Sequence, residues 1–166
     1  MRPSHRLVLP LALAAFCAGL AQSALAQTRT APLSGYQEVP ALNTPAGGSF
    51  TATLQPDAVN YRLSYRGVAS GVTQAHIHIG QKGVNGGISV FLCSNLDDPS
   101  AGTQACPAGD AEITGTITAA SVIGPTTQGI AAGQFDAFLA AARAGVAYVN
   151  VHSVTFPGGE IRGQIK

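Results

Sequence analysis

The chain has 166 residues, 46% of them hydrophobic, with nine Lys and Arg against eight Asp and Glu. This near-neutral balance, with no run of basic residues, gives nucleic acid no electrostatic footprint to bind. The length suits one domain large enough to bury a real core.

Residues 1–26 read as an export signal. Arg2, His5 and Arg6 form a basic start, residues 7–20 are an apolar run interrupted by Pro10, and Ala24-Leu25-Ala26 fits the small-x-small cleavage pattern. A retained anchor is the competing reading, but a bilayer span needs roughly 20 apolar residues. No later stretch is long enough either, so no membrane span is expected once the signal is removed. Cys17 raises the question of a lipoprotein, yet it follows Phe16 and not the small residue that such a site prefers. Cleavage after Ala26 leaves seven basic against eight acidic residues and two cysteines, Cys93 and Cys106. An even pair in an exported chain reads as a disulfide, against the alternative of two free thiols. The bridge would close a short loop rich in Asp, Pro, Gly and Ser, with about 2–3 kcal/mol of stabilisation in the chain-entropy model. The expected location is periplasmic or secreted, with one domain over residues 27–166.

From there, period-2 segments follow one another. A first strand is expected near residues 31–38. Phe50, Ala52 and Leu54 alternate with Thr51, Thr53 and Gln55; Tyr61, Leu63 and Tyr65 alternate with Arg62, Ser64 and Arg66. Next come Ala75-His76-Ile77-His78-Ile79 and the apolar run at 88–92. Ile113, Gly115 and Ile117 alternate with Thr114, Thr116 and Thr118, and segments at 146–152 and 160–165 close the chain. Seven or eight short strands with Gly, Pro and Asn punctuation predict an all-β antiparallel sandwich or barrel. Residues 134–143 break the pattern: Phe135, Phe138, Leu139 and Ala142 recur at helical spacing between Gly133 and Gly145, which predicts one short crossover helix packed on the core.

The loop at 80–87 carries four glycines but no Gly-Lys-Ser/Thr, and lies between two strands, so it is not a phosphate loop. Asn85-Gly86 within it signals a tight turn. No Gly-x-Ser-x-Gly elbow supports a nucleophilic serine, and Ser153, directly after His152, points to the opposite face. Asp97-Asp98 reads as a solvated turn in the cysteine loop, not a catalytic carboxylate pair.

Apart from His5, the histidines are His76, His78 and His152. Period 2 puts Ala75, Ile77 and Ile79 on one face and His76 and His78 on the other. On the later strand Val149 and Val151 oppose Tyr148, Asn150 and His152. His at i and i+2 on a strand lie about 6.6 Å apart along it and can tilt to one ion. A third imidazole completes a three-nitrogen set suited to copper or zinc, with the affinity order favouring copper. Water or Glu160 would fill a fourth position. The alternative is a polar network in which His76 and His78 bond to backbone carbonyls, Glu160 or Glu38 and brace the loops. Glu160 and Arg162 are two apart and are expected to share a face, as an ion pair or as partners of a histidine. Glu38, Tyr148, Asn150, Glu160 and Arg162 are the residues expected around the histidines.

Leu33-Ser34-Gly35-Tyr36-Gln37-Glu38-Val39-Pro40, Ala75-His76-Ile77-His78-Ile79-Gly80 with Asn85-Gly86, Tyr148-Val149-Asn150-Val151-His152-Ser153 and Phe156-Pro157-Gly158-Gly159-Glu160-Ile161-Arg162-Gly163-Gln164-Ile165 occur in this order. The series resembles the CHRD domain family, first described in the animal protein chordin and common in exported bacterial proteins. The resemblance covers essentially the whole chain after residue 26. It implies an immunoglobulin-like β-barrel or sandwich and secretion, without a firmly assigned activity. A weaker likeness runs to copper/zinc superoxide dismutases, which share a Greek-key β-barrel, a His-x-His strand and a later Val-x-His strand. On that likeness His76, His78 and His152 match three copper ligands and Arg162 a guiding arginine. No bridging histidine stands between His78 and His152, and the His/Asp zinc loop is missing.

The functional expectation is therefore an exported CHRD-type binding or structural module without catalytic residues. The alternative is a periplasmic copper or zinc protein using the three histidines, with a dismutase-like oxidoreductase a distant third. The expected partner is an extracytoplasmic protein or a metal ion. Oligomeric state is not readable.

Overall fold

The computed structural model describes residues 26–97 and 102–166. The export signal expected over 1–26 lies almost wholly outside these residues, as do Cys17 and Asp98. Eight strands form: β1 (Gln27–Ser34), β2 (Gly47–Leu54), β3 (Val59–Arg66), β4 (Val72–Ile79), β5 (Ile88–Ser94), β6 (Ala111–Ile117), β7 (Ala147–Ser153) and β8 (Ile161–Gln164). One helix, α1 (Phe135–Arg143), lies between β6 and β7. Every pairing is antiparallel, in the order β5-β4-β7-β8-β1-β2-β3-β6. The sheet curls into a nearly closed barrel, as the alternating segments predict. Cys93 and Cys106 form the expected disulfide, which ties β5 to the loop before β6.

The barrel stops short of closure where β5 faces β6. Tyr61, on β3, reaches across to donate its hydroxyl to Leu92 O at 3.0 Å, and Ser94 N bonds Gln104 O at 2.9 Å. These contacts cover strand edges that would otherwise be open templates for pairing.

The interior is one apolar cluster built from the inward residues of each strand. Phe50, Leu54, Leu63, Ile77, Val90, Leu92, Val149, Val151 and Ile161 are each at most 2% exposed. Helix α1 adds Phe135, Phe138, Leu139 and Ala142, all buried, so the i, i+3, i+4, i+7 stripe faces the core. Asp136 in its first turn and Arg143 in its last complement the helix dipole. Gly145, at φ 71°, supplies the left-handed residue that ends it.

Two local expectations are corrected. The first strand runs earlier than residues 31–38, because a 3-10 turn at Gly35–Gln37 ends it. Nor is Asn85-Gly86 the turning dipeptide between β4 and β5. Val84 N bonds Gln81 O and Gly83 takes φ 76°, so the chain reverses before Asn85. Gly86 is glycine for another reason: a Cβ there would overlap Ile79 O.

Candidate metal centre

The candidate site lies on the outer face of β4, β7 and β8, and the register assembles it. His76 pairs with Asn150, which pairs with Arg162; His78 pairs with Tyr148, which pairs with Gln164; His152 pairs with Gln74. Phe91 on β5 stands opposite His76. Side chains in one such row point the same way. The three rings therefore meet because their strands are neighbours, although His78 and His152 are 74 residues apart in the chain.

This outer face is not open to water. His76 is 2% exposed, His78 and His152 8% each, Asn150 3%, Tyr148 3% and Arg162 2%. Three loops cover it. The β4–β5 loop places Gly86 O at 3.0 Å from His78 Nδ1. The β7–β8 loop places Pro157 O at 2.9 Å from His152 Nδ1. The segment after β1 brings in Glu38, whose carboxyl accepts a hydrogen bond from Asn150 Nδ2.

A carbonyl oxygen only accepts, so His78 and His152 must each carry their proton on Nδ1 and present Nε2 as a lone pair. His152 Nε2 lies 3.1 Å from His76 Nδ1. His76 Nε2 and His78 Nε2 are both buried without any hydrogen-bond partner. An unsatisfied buried polar atom costs about 1–3 kcal/mol, and two in one cluster call for an explanation. One ring nitrogen from each histidine lies within 4.8 Å of the other two.

The electrostatics hold all three rings neutral, the form a metal requires. Burial pushes His76 down to about 3, helped by the neighbouring His152 and His78. Burial pushes His78 down to about 4 against the opposing bond to Gly86 O, and Arg162 adds to the depression. His152 is lowered by burial, with the bond to Pro157 O working against it. Glu38 shifts the other way: burial raises it to about 7, partly offset by Arg162 and the Asn150 hydrogen bond.

Arg162 organises the cover. Its guanidinium donates to Val84 O at 2.7 Å, Asn85 Oδ1 at 3.0 Å and Gln81 O at 3.4 Å, and its carbon sits 3.4 Å from the centre of the Tyr148 ring. That ring stacks on His78, with centroids 4.8 Å apart and planes 4° off parallel. Gln164 donates to three carbonyls, Gly80, Gly145 and Ala147, each at 2.9 Å. Beside the cluster, a cavity of about 240 Å³ is lined by Glu38, Leu42, Phe156, Pro157 and Gly159.

Glu160 does not join this group. Its carboxylate accepts from Thr44 Oγ1 at 2.7 Å and from Ala69 N at 3.1 and 3.2 Å. The strand alternation that would align it with Arg162 starts only at Ile161, because Gly159, at φ 124°, turns the chain into β8 and packs against the Asn150 side chain. The expected Glu160–Arg162 pairing and the Glu160–histidine bond are thus replaced by a clamp on the Ala69 backbone. Glu38, Tyr148, Asn150 and Arg162 do surround the histidines. Backbone carbonyls were expected as histidine partners without being named, and the structure supplies Gly86 and Pro157; Phe91 and Gln164 were missed. Only the unusual density of Gly and Pro in those loops hinted at close backbone approach.

Among the described residues no helix is long and apolar enough to cross a membrane. A model of the CHRD domain matches residues 29–165. No curated protein and no solved structure matches the chain. The match begins inside β1 and runs past the end of β8, taking in all three histidines and their covering loops; the chain belongs to the CHRD domain family.

Proposed function

We propose that this CHRD domain is an exported metal-binding module that holds one copper or zinc ion on His76, His78 and His152. The carrying observation is the convergence of three neutral, buried imidazoles, with two ring nitrogens left without partners. The carbonyls of Gly86 and Pro157 act as the outer contacts that fix ligand tautomers in metal sites, raising the basicity of the nitrogen turned inward. Export is supported by the basic, apolar and small-x-small pattern of residues 1–26 and by a disulfide that suits an oxidising compartment. Serving as a docking module for an extracytoplasmic protein is compatible with this role.

A second reading rests on the His76–His152 contact and the two carbonyl bonds: the histidines brace the loops and bind nothing. Metal titration of the purified protein and of His152→Ala separates the two. One equivalent of copper or zinc retained by the wild type and lost in the variant is expected. Equal retention by both proteins, or none by either, leaves only the bracing role.

A further inference from the structure

Resting on that three-histidine reading, we infer that the site selects monovalent copper, Cu(I), over Cu(II) and Zn(II), because its three ligands are neutral, its surroundings are dry and the nearest fixed charge is positive. The ligand set brings no negative charge. Among the described residues the group able to hold an ion consists of the three histidines, without a carboxylate or thiolate. Cys93 and Cys106 are consumed in their disulfide. Glu160, which the spacing offered as a fourth ligand, is committed to Thr44 and Ala69. Glu38 is engaged with Asn150.

The charge that does stand nearby is a cation. Arg162 lies against Tyr148, and Tyr148 lies against His78. Arg162 is 2% exposed and its donors are taken by Val84 O, Asn85 Oδ1 and Gln81 O, so it is fixed in place. The free energy of moving an ion out of water grows with the square of its charge, so a divalent ion pays about four times the desolvation of a monovalent one of equal size. Repulsion from the guanidinium doubles as well.

Coordination number points the same way. Zn(II) in proteins is almost always four-coordinate, and a three-histidine zinc site completes itself with water. Here His76 Nε2 and His78 Nε2 are sealed from solvent. Cu(I), with a filled d shell, is satisfied by three nitrogens and needs no water.

The test measures dissociation constants for Cu(I), under anaerobic conditions with a chromophoric Cu(I) chelator as competitor, and for Cu(II) and Zn(II) in the same buffer. Wild type, His152→Ala and Arg162→Met are compared, with circular dichroism confirming that each is folded. The wild type is expected to bind one Cu(I) about 1,000-fold or more tighter than Zn(II) and Cu(II). X-ray absorption of the Cu(I) form should show three nitrogen neighbours and no fourth light ligand. Folded Arg162→Met should narrow the gap by gaining Zn(II) affinity. Should that variant not fold, the wild-type constants and the absorption spectrum decide alone. Zn(II) or Cu(II) bound as tightly as Cu(I), or a four-coordinate spectrum, overturns the selectivity while leaving the metal site intact. No metal bound by the wild type overturns the underlying three-histidine reading as well.

Discussion

Strands β4, β7 and β8 alternate apolar and polar residues just as β2, β3 and β6 do, yet their outer faces meet water differently. On β2, β3 and β6 the outward residues Thr51, Asn60, Arg62, Glu112, Thr114 and Thr116 are exposed. Their one ion pair, Arg62 with Glu112 at 2.6 Å, has side chains 62% and 47% exposed. On β4, β7 and β8 the outward residues His76, His78, Tyr148, Asn150, His152, Arg162 and Gln164 are buried, and Gln74 is half-buried. The strands are alike; the loops are not. The β2–β3 connection is a tight reversal, whereas the β4–β5 and β7–β8 connections fold back over the sheet and bring carbonyls with them. A polar outer face thus becomes a second, polar interior, where partnering decides the energy of every group.

The sharpest break of this comparison sets two arginines side by side. Arg162→Met removes the donors that satisfy Val84 O, Asn85 Oδ1 and Gln81 O and frees the β4–β5 loop. A loss of about 3 kcal/mol is expected, since hydrogen bonds from charged groups are worth about 1.5–3 kcal/mol each and the carbonyls regain water only in part. For a chain of this size, that lowers Tm by on the order of 10 °C. Arg62→Met, on the open face, should change stability by less than about 0.5 kcal/mol. Thermal and urea unfolding of both variants checks the contrast, and equal effects would show that the cover over β4, β7 and β8 contributes no more than open surface does.

The two faces also differ in how much of them could be read beforehand. Alternation correctly assigned His76 and His78 against Ile77, and Asn150 and His152 against Val151, because strand geometry is local. The stripe of α1 was legible for the same reason. What alternation does not carry is the fate of the outward side. Nothing in Thr114 or His78 as residue types says which will be roofed by a loop; that depends on where residues 80–87 and 154–160 fold, and those loops are held by long-range bonds such as Arg162 to Val84 O. Glu160 shows the limit most clearly. One glycine at φ 124° takes it off the strand and out of the site that its spacing proposed.

Acid should separate the two faces next. In the metal-free protein, His76 and His78 titrate at about 3 and about 4 when folded, against 6.5 when unfolded. Between these values the unfolded chain holds more protons, so stability falls as pH drops below about 6.5, and His152 adds in the same sense. Glu38 opposes them. Raised from 4.5 to about 7, it is protonated in the folded state between those values, so its contribution weakens as pH rises through that window. His76 and His78 against one carboxylic acid leave a net loss of about 1–2 kcal/mol from pH 7.5 to pH 5, at about 1.4 kcal/mol per pKa unit, and His152 adds to it. Glu38→Gln removes the opposing group and should steepen the fall. The check is urea midpoints across pH 4.5–8; a flat profile in the wild type would mean that the histidines are not held neutral by burial.

The smallest effect concerns the edge where the open half ends. Gly115 on β6 pairs directly with Tyr61 on β3. A Cβ at Gly115 would lie 2.6 Å from the Tyr61 hydroxyl and 2.7 Å from its ring. Gly115 carries no positive φ, so the glycine is required by the ring that lies over it and not by its backbone conformation. That ring has to pass there because its hydroxyl bonds Leu92 O and receives Gln104 Nε2 across the gap between β5 and β6. Gly115→Ala should therefore displace Tyr61 and lose both bonds, at about 1–2 kcal/mol. Tyr61→Phe keeps the ring and drops only the hydroxyl, and should cost about 1 kcal/mol. Thr114→Ala, one residue away but facing solvent, should stay within about 0.5 kcal/mol. If Gly115→Ala proves as silent as Thr114→Ala in thermal unfolding, the tyrosine does not close this edge, and the barrel is held across it by the disulfide and by the Ser94–Gln104 and Asn95–Cys106 bonds.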